Sequence, residues 1–226
     1  MQQPTQTTQL PLNHSLALPW QLWLSAVCST LYFVTKSWQP FTGSVALKAL
    51  SIAPLALLAF QAKHRLLGAA LCFATLGDVL LDWPGNHFVA GLCAFLVTQL
   101  LYATLFARDW RRPFTLNAMT RMLAAGVLFF SIALTVWMWP NLGKLALPVM
   151  VYIGALTLMV ESALLAQFKV RWIVLGAVLF MLSDSLIGVN RFKLDVPLRE
   201  YLVWATYYLG QCGIVLGYLQ EKQDKR

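Results

Sequence analysis

The chain of 226 residues is strongly hydrophobic, since 59% of its residues are apolar or aromatic, only 12% are charged, and the mean hydropathy is +0.65. This composition excludes an ordinary soluble domain. The formal net charge is +8, but the basic residues lie between apolar blocks and form no aromatic-interleaved stripe, so nucleic acid is not an expected partner. Membrane lipids are the expected surroundings.

In chain order, charged and turn residues divide the sequence into eight apolar blocks. They lie at 16–35, 44–61, 66–83, 87–107, 119–139, 145–166, 171–190 and 198–219. A helix needs roughly 20 residues to cross a bilayer. We therefore predict an all-α fold, a polytopic membrane helix bundle with about eight transmembrane helices. Lys48 and Pro54 interrupt the second block, so seven spans is the alternative count.

The predicted organisation has three parts: a disordered N-terminal leader at 1–15, a single transmembrane helical domain at 16–219, and a basic cytoplasmic tail at 220–226. The leader is polar and lacks the basic region of a cleaved signal peptide. With eight spans, both termini share one side with eleven of the seventeen basic residues. The positive-inside rule then places both termini in the cytoplasm, and we expect a bacterial inner membrane.

Five ionisable residues lie inside or at the rims of the predicted spans: Lys48, Asp78, Asp82, Glu161 and Asp184. Charged groups are costly at that depth, so each is a functional candidate. Asp78 and Asp82 are four residues apart and share one face of the third helix. Lys48 and the three aspartates are expected in the same, non-cytoplasmic half of the bundle. They would form one polar cavity if the second, third and seventh helices are neighbours. Glu161 belongs to the inner half, where pairing with a nearby basic residue of the 6–7 connection explains it, so it is left out of the site.

One stripe of the fourth span combines aromatic, small and polar residues at spacings of three and four: Phe88, Gly91, Phe95, Gln99 and Tyr102. The simpler interpretation is helix packing around Gly91. The functional interpretation places Gln99 and Tyr102 in the polar cavity. Further candidates of the same kind lie on the last span: Tyr207, Tyr208 and Gln211.

Three motifs follow one another along most of the chain: Leu76-Gly77-Asp78-Val79-Leu80-Leu81, then Phe88, Gly91, Phe95 and Tyr102, then Gly176-Ala177 with Phe180 and Ser183-Asp184-Ser185-Leu186. Together with Lys48, they resemble the YhhN-like family of membrane proteins, which includes lysoplasmalogenases. Many members of that family carry a histidine where this chain has Gln99. If that histidine were the essential acid or base, this chain would be inactive.

The resemblance implies an integral membrane hydrolase that cleaves the vinyl ether bond of lysoplasmalogen, a lysophospholipid. The products would be a fatty aldehyde and glycerophospho-ethanolamine or -choline. The resemblance also implies Asp78 and Asp184 as the catalytic pair. Such cleavage needs one acid to protonate the alkene and one anion to stabilise the resulting cation. We assign Asp78 as the acid and Asp184 as the stabilising carboxylate, and the reverse stays open.

The remaining candidates are assigned to substrate binding: Lys48, Asp82, Gln99, Tyr102, Asn190 and Tyr208. Of these, Lys48, Asp82 and Asn190 are expected to hold the phosphate-bearing head group or the catalytic carboxylates.

Neither a metal nor another cofactor is expected, because the three histidines, His14, His64 and His87, lie on separate segments. No serine motif of the GxSxG kind occurs in the sequence. The alternative from another functional class is a membrane transporter or lipid-binding protein, in which the buried carboxylates relay protons or bind a cation. The sequence leaves the oligomeric state open.

Overall fold

The structure is a computed structural model that describes residues 19–41, 43–110, 116–166 and 168–225. Eight α-helices make up most of these ranges: α1 (Trp20–Val34), α2 (Ser44–Gln61), α3 (Arg65–Asp82), α4 (Phe88–Ala107), α5 (Ala118–Leu142), α6 (Ala146–Ala166), α7 (Trp172–Phe192) and α8 (Arg199–Gln223). Short 3-10 turns follow α1 and join α5 to α6. The predicted leader lies outside the described residues.

The prediction of an all-α membrane bundle is confirmed. Within the described ranges, five helical stretches are long and apolar enough to cross a bilayer, and one of them runs through both α5 and α6. The count of eight spans is corrected to about seven. Helices α2 to α8 have 18 or more residues each, whereas α1 has 15. At 1.5 Å per residue, α1 covers roughly 22 Å, less than the hydrocarbon thickness.

Helix α5 lies at the edge of the bundle, where it packs mainly against α6. Only three of its 25 residues are buried: Ser131, Met138 and Leu142. Phe129 and Val136 on the same helix are 74% and 67% exposed. Large apolar side chains in such a position suit contact with lipid chains rather than with water. The other helices enclose the main core, which includes the fully buried Tyr102 and Phe180.

Helices α7 and α8 pack against each other through glycines. A Cβ atom added at Gly176 would lie 2.6 Å from the carbonyl oxygen of Gly210 and 2.7 Å from the amide nitrogen of Ile214. Small residues allow this close backbone approach, as is common between membrane helices. The contact fixes α7, which carries Asp184, against α8, which carries Tyr207.

We expect Gly176→Ala to destabilise the protein by about 2–3 kcal/mol, because the added methyl group meets backbone atoms that cannot rotate away. Gly154→Ala is the matched control, since a Cβ at this helical glycine has nothing within 4 Å. Thermal unfolding of the detergent-purified variants measures the difference. The midpoint should fall for Gly176→Ala alone, and equal midpoints would contradict the close α7–α8 contact.

Candidate active site

Lys48 of α2 lies beside two carboxylates of α3. Its Nζ is 2.8 Å from Oδ1 of Asp82 and 3.6 Å from Oδ1 of Asp78. Because α2 and α3 are antiparallel neighbours, the start of one helix meets the end of the other. Lys48 and Asp78 are only 9% and 2% exposed, and charges at that depth require partners of opposite sign. The structure thus brings three of the predicted site residues together.

Each aspartate of the site accepts a hydrogen bond from a tyrosine on another helix: Tyr207 Oη to Asp78 Oδ2 at 2.6 Å, Tyr32 Oη to Asp82 Oδ2 at 2.5 Å, and Tyr152 Oη to Asp184 Oδ2. The sequence analysis missed Tyr32 and Tyr152. Tyrosine is an ordinary residue of apolar helices, and no spacing pattern shows which phenol meets a carboxylate. The three phenols fix the orientation of the three carboxylates.

Asp184 lies in apolar surroundings. Gln99 Nε2 donates to its Oδ2 at 3.3 Å, and no ion pair involves Asp184 within the described ranges. Asp184 and Tyr152 are among the few polar groups of a cavity between α4, α5, α6 and α7. Its other lining residues are Leu81, Phe88, Leu92, Phe95, Leu134, Met138, Val149, Ile153, Leu156, Met181, Ser185, Ile187, Gly188 and Phe192.

A second cavity is polar and mainly cationic. Its charged lining residues are Lys36, Lys48, Arg191, Arg199, Asp82 and Glu200, and Tyr32 and Trp204 contribute aromatic faces. Arg199 and Glu200 form an ion pair at 3.2 Å. Burial lowers the pKa of Lys36, and the charge of Asp82 partly offsets this effect. The cavity offers several donors to an anion beside two carboxylates.

The two cavities adjoin, because both are lined by Leu81, Phe88 and Ile187. The guanidinium of Arg191 lies 3.8 Å from the centroid of the Phe88 ring. One face of this shared aromatic ring is therefore covered by a cation. This arrangement differs from the single polar cavity expected from the sequence. Lys48 and Asp82 line the polar cavity, whereas Asp184 lines the apolar one.

Five predicted site residues line neither cavity. One of them, Gln99, reaches the apolar cavity only through its hydrogen bond to Asp184. Asp78 is buried beside Lys48, and Tyr102 Oη donates to Gln211 Oε1 at 2.5 Å. The other two bond elsewhere: Asn190 Oδ1 accepts from the backbone N–H of Val196, and Tyr208 Oη lies 2.9 Å from Ser25 Oγ. In the described part of the chain, no group of three or more His, Cys, Asp or Glu residues could hold a metal ion.

Known proteins resemble the chain across this region. The sequence model of the YhhN family matches residues 43–218. Lysoplasmalogenases of Mycobacterium bovis and Mycobacterium tuberculosis are each 38% identical over 163 residues, which cover 69% of this chain and 61% of those proteins. The match thus spans about three fifths of the length of the mycobacterial relatives. Human lysoplasmalogenase TMEM86A is 30% identical over 177 residues, or 74% of this chain and 70% of that protein.

No solved structure matches the chain significantly. The family match begins before Lys48 and ends after Tyr207, so it includes all the site residues on α2, α3, α4, α6 and α7. It also covers well over half of the sequence. The chain therefore belongs to the YhhN family.

Proposed function

We propose that this protein is a membrane hydrolase that cleaves the vinyl ether bond of lysoplasmalogen to a fatty aldehyde and glycerophospho-ethanolamine or -choline. The supporting observation is that a cationic cavity adjoins an apolar cavity containing Asp184. Lysoplasmalogen is divided in the same way, since it has a charged head group, one hydrocarbon chain and a vinyl ether near the junction of the two. Relatives named lysoplasmalogenase in bacteria and mammals support the same activity.

The polar cavity suits a zwitterionic head group. Arg191, Arg199 and Lys36 supply donors for the phosphate, since charged hydrogen bonds to phosphate are among the stronger polar contacts in proteins. Glu200 and Asp82 supply negative charge for the ammonium group of ethanolamine or choline. The hydrocarbon chain then occupies the apolar cavity. This placement brings the vinyl ether to the boundary formed by Leu81, Phe88 and Ile187.

The cavities favour the reverse of the first catalytic assignment. We assign Asp184 as the general acid, because it lines the apolar cavity without a cationic partner, and such surroundings favour a neutral carboxyl group. Asp78 lies 3.6 Å from the Lys48 ammonium, which favours the charged carboxylate. Its negative charge would stabilise the positive charge that develops on the substrate.

The reaction proceeds by protonation of the alkene carbon farther from the ether oxygen. Asp184 supplies this proton, and the positive charge of the oxocarbenium ion is shared by the ether oxygen and its adjoining carbon. Addition of water gives a hemiacetal, which collapses to the aldehyde and the glycerol hydroxyl. Tyr152 and Gln99 hold the Asp184 carboxyl group through its Oδ2, so they orient the acid toward the alkene.

The proposal also includes a bacterial inner membrane with both termini in the cytoplasm. Although α1 is too short for a full span, Gln21 near its start bonds to Gln61 at the end of α2. Because His64, just beyond α2, packs against Tyr218 of α8, α1 begins at the end of the bundle where α8 ends. Basic residues collect at the end of the bundle away from Lys48 and line one crevice there: Lys63, Arg65 and Arg108. Lys222 and Lys225 lie close by and both contact Asp109. Their excess at this end supports its cytoplasmic location. The substrate cavities would then open toward the other leaflet.

Aldehyde release by the detergent-purified protein tests the function. We expect hydrolysis of lysoplasmenyl-ethanolamine but not of the saturated alkyl ether, which has no alkene to protonate, nor of the acyl ester. A chelator should leave the rate unchanged. Hydrolysis of the ester, or activity that one divalent ion restores after chelation, would contradict the mechanism. Absence of aldehyde together with solute uptake into closed vesicles would favour the transporter alternative.

A further inference from the structure

Two fully buried glutamines each leave one polar atom unsatisfied. Gln99 donates from Nε2 to Asp184, but its Oε1 has no hydrogen-bond partner among the described residues. Gln211 accepts at Oε1 from Tyr102, but its Nε2 has no partner among those residues either. Both side chains are 0% exposed. Buried polar atoms are nearly always satisfied by protein groups or ordered water, so each unsatisfied atom requires an explanation.

The contacts between α4 and α8 place these two glutamines at a similar level. The ring of Phe95 packs against that of Tyr207 with 5.8 Å between centroids, and Tyr102 bonds to Gln211. Gln99 lies between Phe95 and Tyr102 on the same face of α4, while Gln211 is one turn after Tyr207 on α8. One glutamine offers an acceptor and the other a donor. A single water molecule that bridged the two amides would satisfy both atoms.

We infer that Gln99 Oε1 and Gln211 Nε2 hold the water that attacks the oxocarbenium ion. This inference rests on the proposed function. The water donates one hydrogen to Gln99 and accepts a hydrogen bond from Gln211. Neither glutamine lines either cavity, but Gln99 contacts Asp184, which lines the apolar one. In this inference the second hydrogen of the water is directed to the Asp184 carboxylate, and its second lone pair is directed past that carboxylate to the substrate. Both glutamines are positioning residues, since they act through the water.

The step balances in protons and electron pairs. Asp184 gives its proton to the alkene carbon and becomes a carboxylate. A lone pair of the water oxygen forms the bond to the carbon next to the ether oxygen, and the released water proton passes to Asp184. The hemiacetal then breaks its carbon–oxygen bond to glycerol, whose oxygen takes up the hemiacetal hydroxyl proton as the aldehyde forms. Asp184 is thereby protonated again for the next turnover.

Gln99→Met and Gln211→Met test the inference, since methionine keeps the length of the side chain but lacks the amide. Gln21→Met is the matched control. Gln21 is also a buried glutamine, 3% exposed, with an unsatisfied Oε1 and an amide partner in Gln61. It lies on α1, at the opposite end of α2 from Lys48. All variants are assayed as full-length protein in detergent with methanol added as a competing nucleophile.

We expect both test variants to lose about 10-fold or more in turnover, because the nucleophile is no longer held in place. Methanol should then compete better, so the ratio of mixed acetal to aldehyde should rise about fivefold or more, as expected on loss of an ordered water. The solvent isotope effect on turnover should also fall, as water capture replaces alkene protonation as the slow step. Gln21→Met should match the wild type in all three measurements.

An acetal-to-aldehyde ratio that stays at the wild-type value in both test variants would overturn the inference, even if turnover falls. Loss of the folded protein in both variants would also overturn it, because the amides would then be structural. If only one variant folds, the acetal-to-aldehyde ratio of that variant decides whether the inference holds. Failure of the wild type to release any aldehyde would instead refute the proposed function, so the two failures are distinguishable.

Discussion

Asp184→Asn is expected to lower vinyl ether hydrolysis by about 100-fold or more, because asparagine cannot donate the carboxylic proton on which general acid catalysis depends. The amide matches the carboxyl group in shape, and its oxygen can still accept hydrogen bonds from Tyr152 and Gln99. The protein should therefore remain folded. The rate of aldehyde release and the elution profile in detergent are the two measurements.

Asp195→Asn is a suitable control, because Asp195 is exposed in the connection between α7 and α8. This variant should keep the wild-type rate. If folded Asp184→Asn retained more than about a tenth of that rate, the assignment of Asp184 as the acid would be wrong, since such a loss is smaller than general acid catalysis supplies.

Asp78→Asn is expected to cost about 100-fold or more in turnover, because the negative charge that opposes the oxocarbenium ion is lost. Lys48 keeps its contact of 2.8 Å with Asp82, so the buried ammonium still has a partner of opposite charge. We therefore expect a folded protein. Turnover with lysoplasmenyl-ethanolamine, measured alongside thermal unfolding, separates the loss of activity from a loss of stability.

Asp82→Asn provides the comparison for Asp78→Asn. The Asp82 side chain is 24% exposed whereas that of Asp78 is 3% exposed, so solvent screens its charge more strongly. Asp82 also borders the polar cavity, away from Asp184. Asp82→Asn should therefore mainly weaken substrate binding. An equal loss of turnover in the two variants would show that Asp78 has no special part in stabilising the cation.

The helix positions were largely predictable because each span must be apolar along its length. The predicted second block, 44–61, coincides with α2, and Pro54 does not interrupt the helix. The count of full spans was less predictable. An apolar sequence does not show where regular helix ends, and α1 passes into a 3-10 turn at Thr35.

The polar half of the site was also predictable, since Asp78 and Asp82 share a helical face and a buried lysine needs an anionic partner. The position of Asp184 relative to them was not. It depends on which side chains fill the space between α3, α4 and α7, and Leu81 and Phe88 fill it with apolar groups. Tyr152 likewise resembles any other aromatic residue of a membrane helix until its partner is known.

The boundary formed by Leu81, Phe88 and Ile187 has a consequence for the fate of the products. In the proposed reaction, the bond to be broken lies where the cationic cavity meets the hydrocarbon-lined cavity. Cleavage there yields one product soluble in water and one soluble in lipid. Each fragment can diffuse away from its own side of the boundary into a different phase. Dilution into two phases would separate the products and oppose the reverse reaction without any moving part in the protein.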